Sequence, residues 1–168
     1  MAPTQTSMQD RQPFTLLSGG QTGADRAALD AAIALGLPHG GWICRGRKTE
    51  KGPLPAKYRL REMDSHRYRD RTEKNVLDSD GTVIFSFGPL EGGSALTEAL
   101  AIRYDRPCLF LDMKEINQEQ AITALVRWLR AHRIRRLNVA GPRASNQPQI
   151  YDTVYSLFLS FPWKELIT

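Results

Sequence analysis

The chain has little of what would tie it to a membrane, a metal or a disulfide framework. No apolar run approaches the roughly 20 residues that a bilayer span needs. The first residues are polar and carry no apolar signal-peptide core, so a cytoplasmic protein is expected. Two cysteines, Cys44 and Cys108, are too few for a disulfide framework and read as buried or half-buried thiols. No Cys-x-x-Cys or His-x-x-x-His spacing occurs, and His39, His66 and His132 are scattered, so no structural zinc site is expected. The histidines fit surface or capping roles. There is no Walker A Gly-Lys-Ser/Thr, no Gly-x-Gly-x-x-Gly, and no Ser-His-Asp or Cys-His arrangement. Linkers, low-complexity tracts and repeats of 20–50 residues are also missing.

What remains is ordinary globular composition: 168 residues, 41% hydrophobic and 24% charged. Such a chain can bury roughly 70% of its unfolded surface and needs no staples. Residues 1–12 read as a flexible tail and 13–168 as a single domain. The net charge of +5 suits nucleic acid, a membrane surface or an acidic small ligand, and composition alone does not choose.

Apolar runs at 14–17, 41–44, 82–86, 107–111 and 137–140 read as strands. They alternate with helical patterns at 25–35, 65–79, 94–104, 118–133 and about 146–159, the first closed by Gly36 and Pro38. Strands that alternate with helices and are apolar throughout predict a parallel sheet covered on both faces. The expected fold is a three-layer, Rossmann-like α/β arrangement with about five strands.

In such a fold the strand-to-helix loops share the carboxyl edge of the sheet, where ligands bind. The first loop carries Ser18, Gly19, Gly20, Gln21, Thr22 and Gly23, then Asp25 and Arg26. Its glycines would let a ligand approach the backbone, and the helix start favours an anion. It also reads as a tight turn capped by Asp25. The second offers Gly92, Gly93, Ser94, Thr97 and Glu98; Glu98 is either a carboxylate set against the helix dipole or an acid–base group. The third holds Gly141, Arg143 and Ser145. Arg143 suits bidentate recognition of an oxyanion, or is a surface arginine, and Ser145 is a candidate N-cap. Arg45, Arg47 and Lys48 reach the same edge if strand 41–44 is parallel. Together these loops point to a small anionic ligand, a phosphate or a phosphate-bearing molecule, without demanding a chemical step.

The run from Ser18 through Gly23, Asp25 and Arg26 to Asp30 resembles the opening motif of the molybdenum carrier protein family. The resemblance continues through Gly41-Trp42 with Gly46-Arg47, Arg71-Thr72 with Asn75-Val76, Ser79-Asp80, Gly92-Gly93 with Leu96-Thr97, and Gly141-Pro142-Arg143 with Ser145. It implies a Rossmann-like fold related to LONELY GUY-type phosphoribohydrolases, binding of molybdenum cofactor or an oxyanion such as molybdate, and a homo-oligomer, dimer or tetramer. Carried over, the binding residues are Gly19, Gly20, Thr22, Gly23, Asp25, Gly92, Gly93, Thr97 and Arg143. The chain departs from the family at Ile43-Cys44, at Ala144, and in the altered spacing of Glu91-Gly92-Gly93 to Glu98.

Three functions follow as expectations. A non-catalytic carrier or sensor of an oxyanion-bearing ligand fits the donor-rich loops. A phosphoribohydrolase cleaving a nucleoside 5′-monophosphate would use Glu98 and Asp25 as acid–base groups. Nucleic-acid binding would rest on the clusters Arg67, Arg69, Arg71 and Arg127, Arg130, Arg133, Arg135, Arg136, but no aromatic residues interleave them for stacking. In the last helix, Ile150, Val154, Leu157, Phe158 and Phe161 form one stripe with Tyr151, Tyr155 and Leu159 outside it, which suggests a subunit interface.

Overall fold

The computed structural model describes residues 12–167. The tail assigned to 1–12 therefore lies, but for Gln12, outside the described residues. Five short parallel strands form the main sheet: β1 (Thr15–Leu17), β2 (His39–Gly40), β7 (Gly81–Ser86), β8 (Cys108–Asp112) and β9 (Arg136–Ala140). Their order across the sheet is β2-β1-β9-β7-β8. The helices are α1 (Ala24–Leu35), α2 (Tyr68–Asp78), α3 (Gly92–Arg103), α4 (Gln118–Ala131), α5 (Ile150–Ser160) and α6 (Trp163–Ile167). α1 and α4 pack with α5 on one face, and α2 packs with α3 on the other, giving the expected three layers.

The strands hold because their side chains leave water on both faces. Every residue of β7 is buried, Val83, Ile84 and Phe85 completely. α1 approaches closely because its inner face is alanine: Ala24, Ala27, Ala28, Ala31 and Ala32 are fully buried. Gly36 closes it in the left-handed conformation, with its N–H on the Ile33 and Ala32 carbonyls. α4 opens with a capping box between Asn117 and Gln120.

The second strand differs from expectation. His39–Gly40, not 41–44, pairs with β1 in the main sheet. Residues from Trp42 onward leave it: β3 (Trp42–Ile43) pairs in parallel with β6 (Arg61–Glu62), and β4 (Lys48–Thr49) forms a hairpin with β5 (Gly52–Pro53). This insert has a small core of its own, in which Ile43, Leu54, Tyr58 and Leu60 pack on Leu29 of α1.

The stripe on α5 faces inward. Ile150, Val154, Leu157 and Phe158 are fully buried against the chain's own core, and Phe161 nearly so. Of the residues outside the stripe, on which the expected interface rests, Tyr151 and Tyr155 are half-buried and Leu159 is exposed. Phe14, leading into β1, packs its ring 5.3 Å from that of Trp163 in α6. No helix among the described residues is long and apolar enough to cross a membrane.

Counted from β7 as though it came first, the sheet order becomes 2-1-3-4-5, one of the two common doubly wound orders. The helices that follow the neighbouring strands β9 and β7 lie on opposite faces, so a crevice opens between their carboxyl ends.

Phe158 meets Phe85 edge-on at 5.7 Å and also contacts Phe161 and Trp163. Phe158→Ala should cost about 3–5 kcal/mol of unfolding free energy, read by urea denaturation.

Candidate functional site

The crevice spans about 840 Å³ of empty space, part of it open to solvent. Its floor is the end of the sheet: Ser86 from β7 and Asn138, Val139 and Ala140 from β9. One wall is the start of α3, with Gly93, Ser94 and Thr97. The other is built from Gly19, Gln21, Asp25, Arg71 and Arg143.

Of the expected loops, the second is open, with Gly93, Ser94 and Thr97 lining the crevice. Gly92 and Gly93 are the first residues of α3, so their N–H groups have no acceptor within the helix. A side chain at either position would meet nothing within 4 Å. Thr97 turns its hydroxyl back to the Gly93 carbonyl at 2.8 Å. Glu98 does not join them. It is not among the residues lining the crevice and instead lies near Cys108, whose thiol burial and the Glu98 charge push up to about 11.

The first loop is closed rather than open. A Cβ on Gly19 would stand 2.7 Å from the Arg71 guanidinium, and one on Gly23 (φ +83) would stand 2.4 Å from the Pro142 carbonyl. These glycines admit protein neighbours, not a ligand. The loop's N–H groups are largely spent: Gln21 donates to Asp25 Oδ2 at 3.2 Å, Thr22 to Gln21 Oε1 at 3.0 Å, and Ala24 to the Pro142 carbonyl at 3.3 Å. Asp25 therefore does not sit at the N-cap, which is Gly23. It lies one residue into α1 and turns its carboxylate back under the loop. Ser18 is equally internal, donating to the Asp25 carbonyl and accepting from Gly20 N.

Asp25 is 6% exposed. Burial pushes its carboxyl up to about 6, against the opposing pull of Arg71, the Gln21 N–H, Arg26 and the Gly19 N–H. Arg71 Nη1 stands 4.0 Å from its Oδ2 and donates to the Gly19 carbonyl at 3.1 Å. Two buried donors on this wall lack partners, Arg71 Nε and Gln21 Nε2. The orientation of the Gln21 amide is fixed, since its oxygen accepts from the N–H groups of both Thr22 and Glu50.

Glu50, from the turn between β4 and β5, ties the first loop to the third. It accepts from Thr22 Oγ1, from Ser145 N at 3.2 Å and from Ser145 Oγ at 2.5 Å, and stands 3.9 Å from Arg143 Nη1. Burial pushes its carboxyl up, but these donors outweigh it and hold the group below the ordinary carboxylate range. Ser145 is thus part of a clasp; the N-cap of α5 is Gln149. Gln147, further along the third loop, holds the end of β7 through Phe87 N, Phe87 O and Ser86 Oγ.

Arg143 lines the crevice, and its guanidinium lies 5.5 Å from the Tyr68 ring. Lys48 lies 4.7 Å from the same ring. Arg45 is exposed and absent from the crevice lining. Arg47 is structural, donating to the carbonyls of Leu54, Pro55 and Tyr58 within the insert. Arg26 reaches the Gly20 carbonyl and the Tyr58 ring on the far side of the first loop. Gly141 lines the crevice at the end of β9. Arg71, Gln147 and Glu50 are the working residues that sequence reasoning missed, and Gln21's free amide was legible only as a generic donor. Cys44 is buried and Cys108 half-buried, and both are free thiols outside the crevice.

The fold and crevice define a doubly wound α/β protein with a donor-rich crevice at the switch point of its sheet. More particularly, residues 16–161 match the circularly permutated YpsA SLOG family, cpYpsA, and the chain belongs to that family. Among solved structures, the chain is 51% identical to a Syntrophus aciditrophicus SB protein named "Putative molybdenum carrier protein". That match covers 91% of this chain and 98% of the other, with a TM-score of 0.88. A second, (E)-4-hydroxy-3-methyl-but-2-enyl diphosphate reductase, is 11% identical with a TM-score of 0.39 over 89% of this chain and 60% of the other, too distant to carry an argument. No curated protein matches the chain.

Two outcomes follow. The folded state keeps a proton on Asp25 that the unfolded chain releases near 3.8. The neutral group's contribution is therefore present below that value and lost as pH rises to and through about 6. Urea denaturation should show wild type falling behind Asp25→Asn by a margin that grows from pH 4 to pH 7; a constant offset contradicts this. Glu50→Ala strands the Thr22 and Ser145 donors. It should cost about 1–3 kcal/mol and speed hydrogen exchange at the Ser145 amide.

Proposed function

We propose that this protein is a carrier or sensor that binds a small oxyanion-bearing ligand in the crevice. The observation that carries the reading is the fixed, buried Gln21 amide, whose NH₂ has no partner. A buried donor without an acceptor costs on the order of 1–3 kcal/mol, which an acceptor on a ligand would relieve. Arg71 Nε presents the same demand, and the exposed N–H groups of Gly92 and Gly93 at the start of α3 add free donors. The name of the Syntrophus relative makes molybdate or molybdenum cofactor the first ligand to test.

The side chains suit molybdenum only in oxygen-coated form. Among the described residues no group of three or more His, Cys, Asp and Glu could hold a bare metal ion. A molybdate or a phosphate-bearing cofactor would be held by donors drawn from Gln21, Arg71, Arg143 and the start of α3. A small ligand is favoured over a nucleic acid, because part of the basic clusters is matched locally, Arg67 by Asp70, Arg136 by Asp78 and Arg130 by Glu165, and no aromatic residues interleave them for stacking.

A second reading is favoured by Asp25. A buried carboxyl raised to about 6 beside the crevice is suited to proton transfer near neutral pH. In a nucleoside 5′-monophosphate N-glycosidase it would serve as the acid–base group without Glu98.

Calorimetry with molybdate, inorganic phosphate, AMP and molybdenum cofactor separates the cases. Binding of at least one, weakened about tenfold or more in Arg71→Gln, is expected, since charge-assisted bonds are the strong ones. No binding of any of the four refutes the carrier reading. Release of free adenine from AMP, lost in Asp25→Asn, would establish the enzyme.

A further inference from the structure

We propose that the ligand carries two separate anionic groups, one seated on the start of α3 and the other on a platform of Lys48, Arg71 and Arg143 gathered around Tyr68. This rests on the reading of the crevice as an anion site and specifies the class of anion.

The three cations come from three segments: the hairpin strand β4, helix α2 and the loop after β9. Their charged ends lie 4.7 Å (Lys48), 5.3 Å (Arg71) and 5.5 Å (Arg143) from the Tyr68 ring centre. An aromatic face attracts a cation, yet three cations at one ring repel each other, and the ring offsets only part of that. Two nearby carboxylates balance only part of the charge. Glu50 stands 3.9 Å from Arg143 and also accepts from Thr22 and Ser145. Asp25 stands 4.0 Å from Arg71, and burial, which pushes its carboxyl up to about 6, still leaves it largely ionised at neutral pH. Among the described residues no carboxylate pairs with Lys48, which is exposed. Arg71 Nε is buried and unpartnered. With three cations against two carboxylates the platform keeps surplus positive charge; Arg71 and Arg143 line the crevice, and Lys48 is exposed on the same ring.

The start of α3 is a separate acceptor of negative charge, and it does not stand alone. The buried Gln21 amide, also without a partner, lines the same crevice. Tyr68 and Arg71 belong to the first turns of α2, which packs against α3. Gly93 and Gln21 line the crevice itself, whereas Tyr68 and Lys48 lie outside its lining. A single tetrahedral oxyanion accepts hydrogen bonds at about 3 Å, so one seated on the start of α3 leaves Lys48 unengaged. A ligand with an anionic group at each end engages both. On this view free molybdate or phosphate occupies half the site.

The test compares AMP, which has one phosphate, with ADP and adenosine 3′,5′-bisphosphate, which carry a second at different reach. Calorimetry on the full chain should find at least one of the latter two bound about tenfold or more tightly than AMP. That ratio should fall at least threefold in Lys48→Gln, an exposed position where folding is not at risk, and again in Arg143→Gln. A ratio near one for both bisphosphates, or a ratio unchanged in both variants, overturns the two-anion proposal while leaving the anion site standing. Failure of all three nucleotides, molybdate and phosphate to bind overturns both.

Discussion

The site depends on one carboxylate. Glu50 lies in a hairpin turn far from the sheet in sequence, yet it fastens Thr22 at the end of β1 to Ser145 beyond β9. These loops leave neighbouring strands and would otherwise be free to part. Their N–H and O–H groups are donors, and only an acceptor between them closes the seam. Because the donors outweigh the cost of burial, the group stays ionised and keeps its hold well into mild acid. With that seam closed, Gly23 can lie against Pro142, Gln21 is locked by Thr22 and Glu50, and Arg143 is brought over Tyr68. Arg71 completes the wall by lying across Gly19.

The layers of the fold were legible because they rest on local signals. Buried runs such as 82–86 and the alanine face of α1 appear in the residues themselves. The second strand was misplaced for a physical reason. His39–Gly40 is a two-residue edge strand with no apolar run, while the more apolar Trp42–Ile43 serves the insert. The stripe on α5 was legible as apolar, and the surplus read beside it falls on Tyr151 and Tyr155, half-buried, and Leu159, exposed.

The site was half legible. Gly92, Gly93, Ser94, Thr97 and Arg143 follow from the rule that ligands meet the carboxyl edge. Glu98 fails because it is one residue beyond Thr97, a turn of about 100° around the helix, and so leaves the crevice for Cys108. Arg71 and Glu50 were missed because their partners are remote. Arg71 reaches Gly19 across 52 positions, and Glu50 reaches Ser145 across 95. Neither carries a local mark, and Arg71 is hidden in a run with Arg67 and Arg69 that looks like a solvated basic face. The glycines of the first loop misled in the opposite direction, since the pattern of an open cradle here accommodates protein neighbours.

The rings of Phe14 and Trp163 join the approach to β1 to the far end of α5. In the unrotated doubly wound order these two segments would be successive, one running directly into the other. The place where that order would instead break is the short turn at Ser79 and Asp80, between α2 and β7. Neither point touches the crevice. The backbone can thus be threaded from either starting place without disturbing the wall of Gln21, Asp25 and Arg71, and chain connectivity and ligand chemistry are independent properties of this architecture.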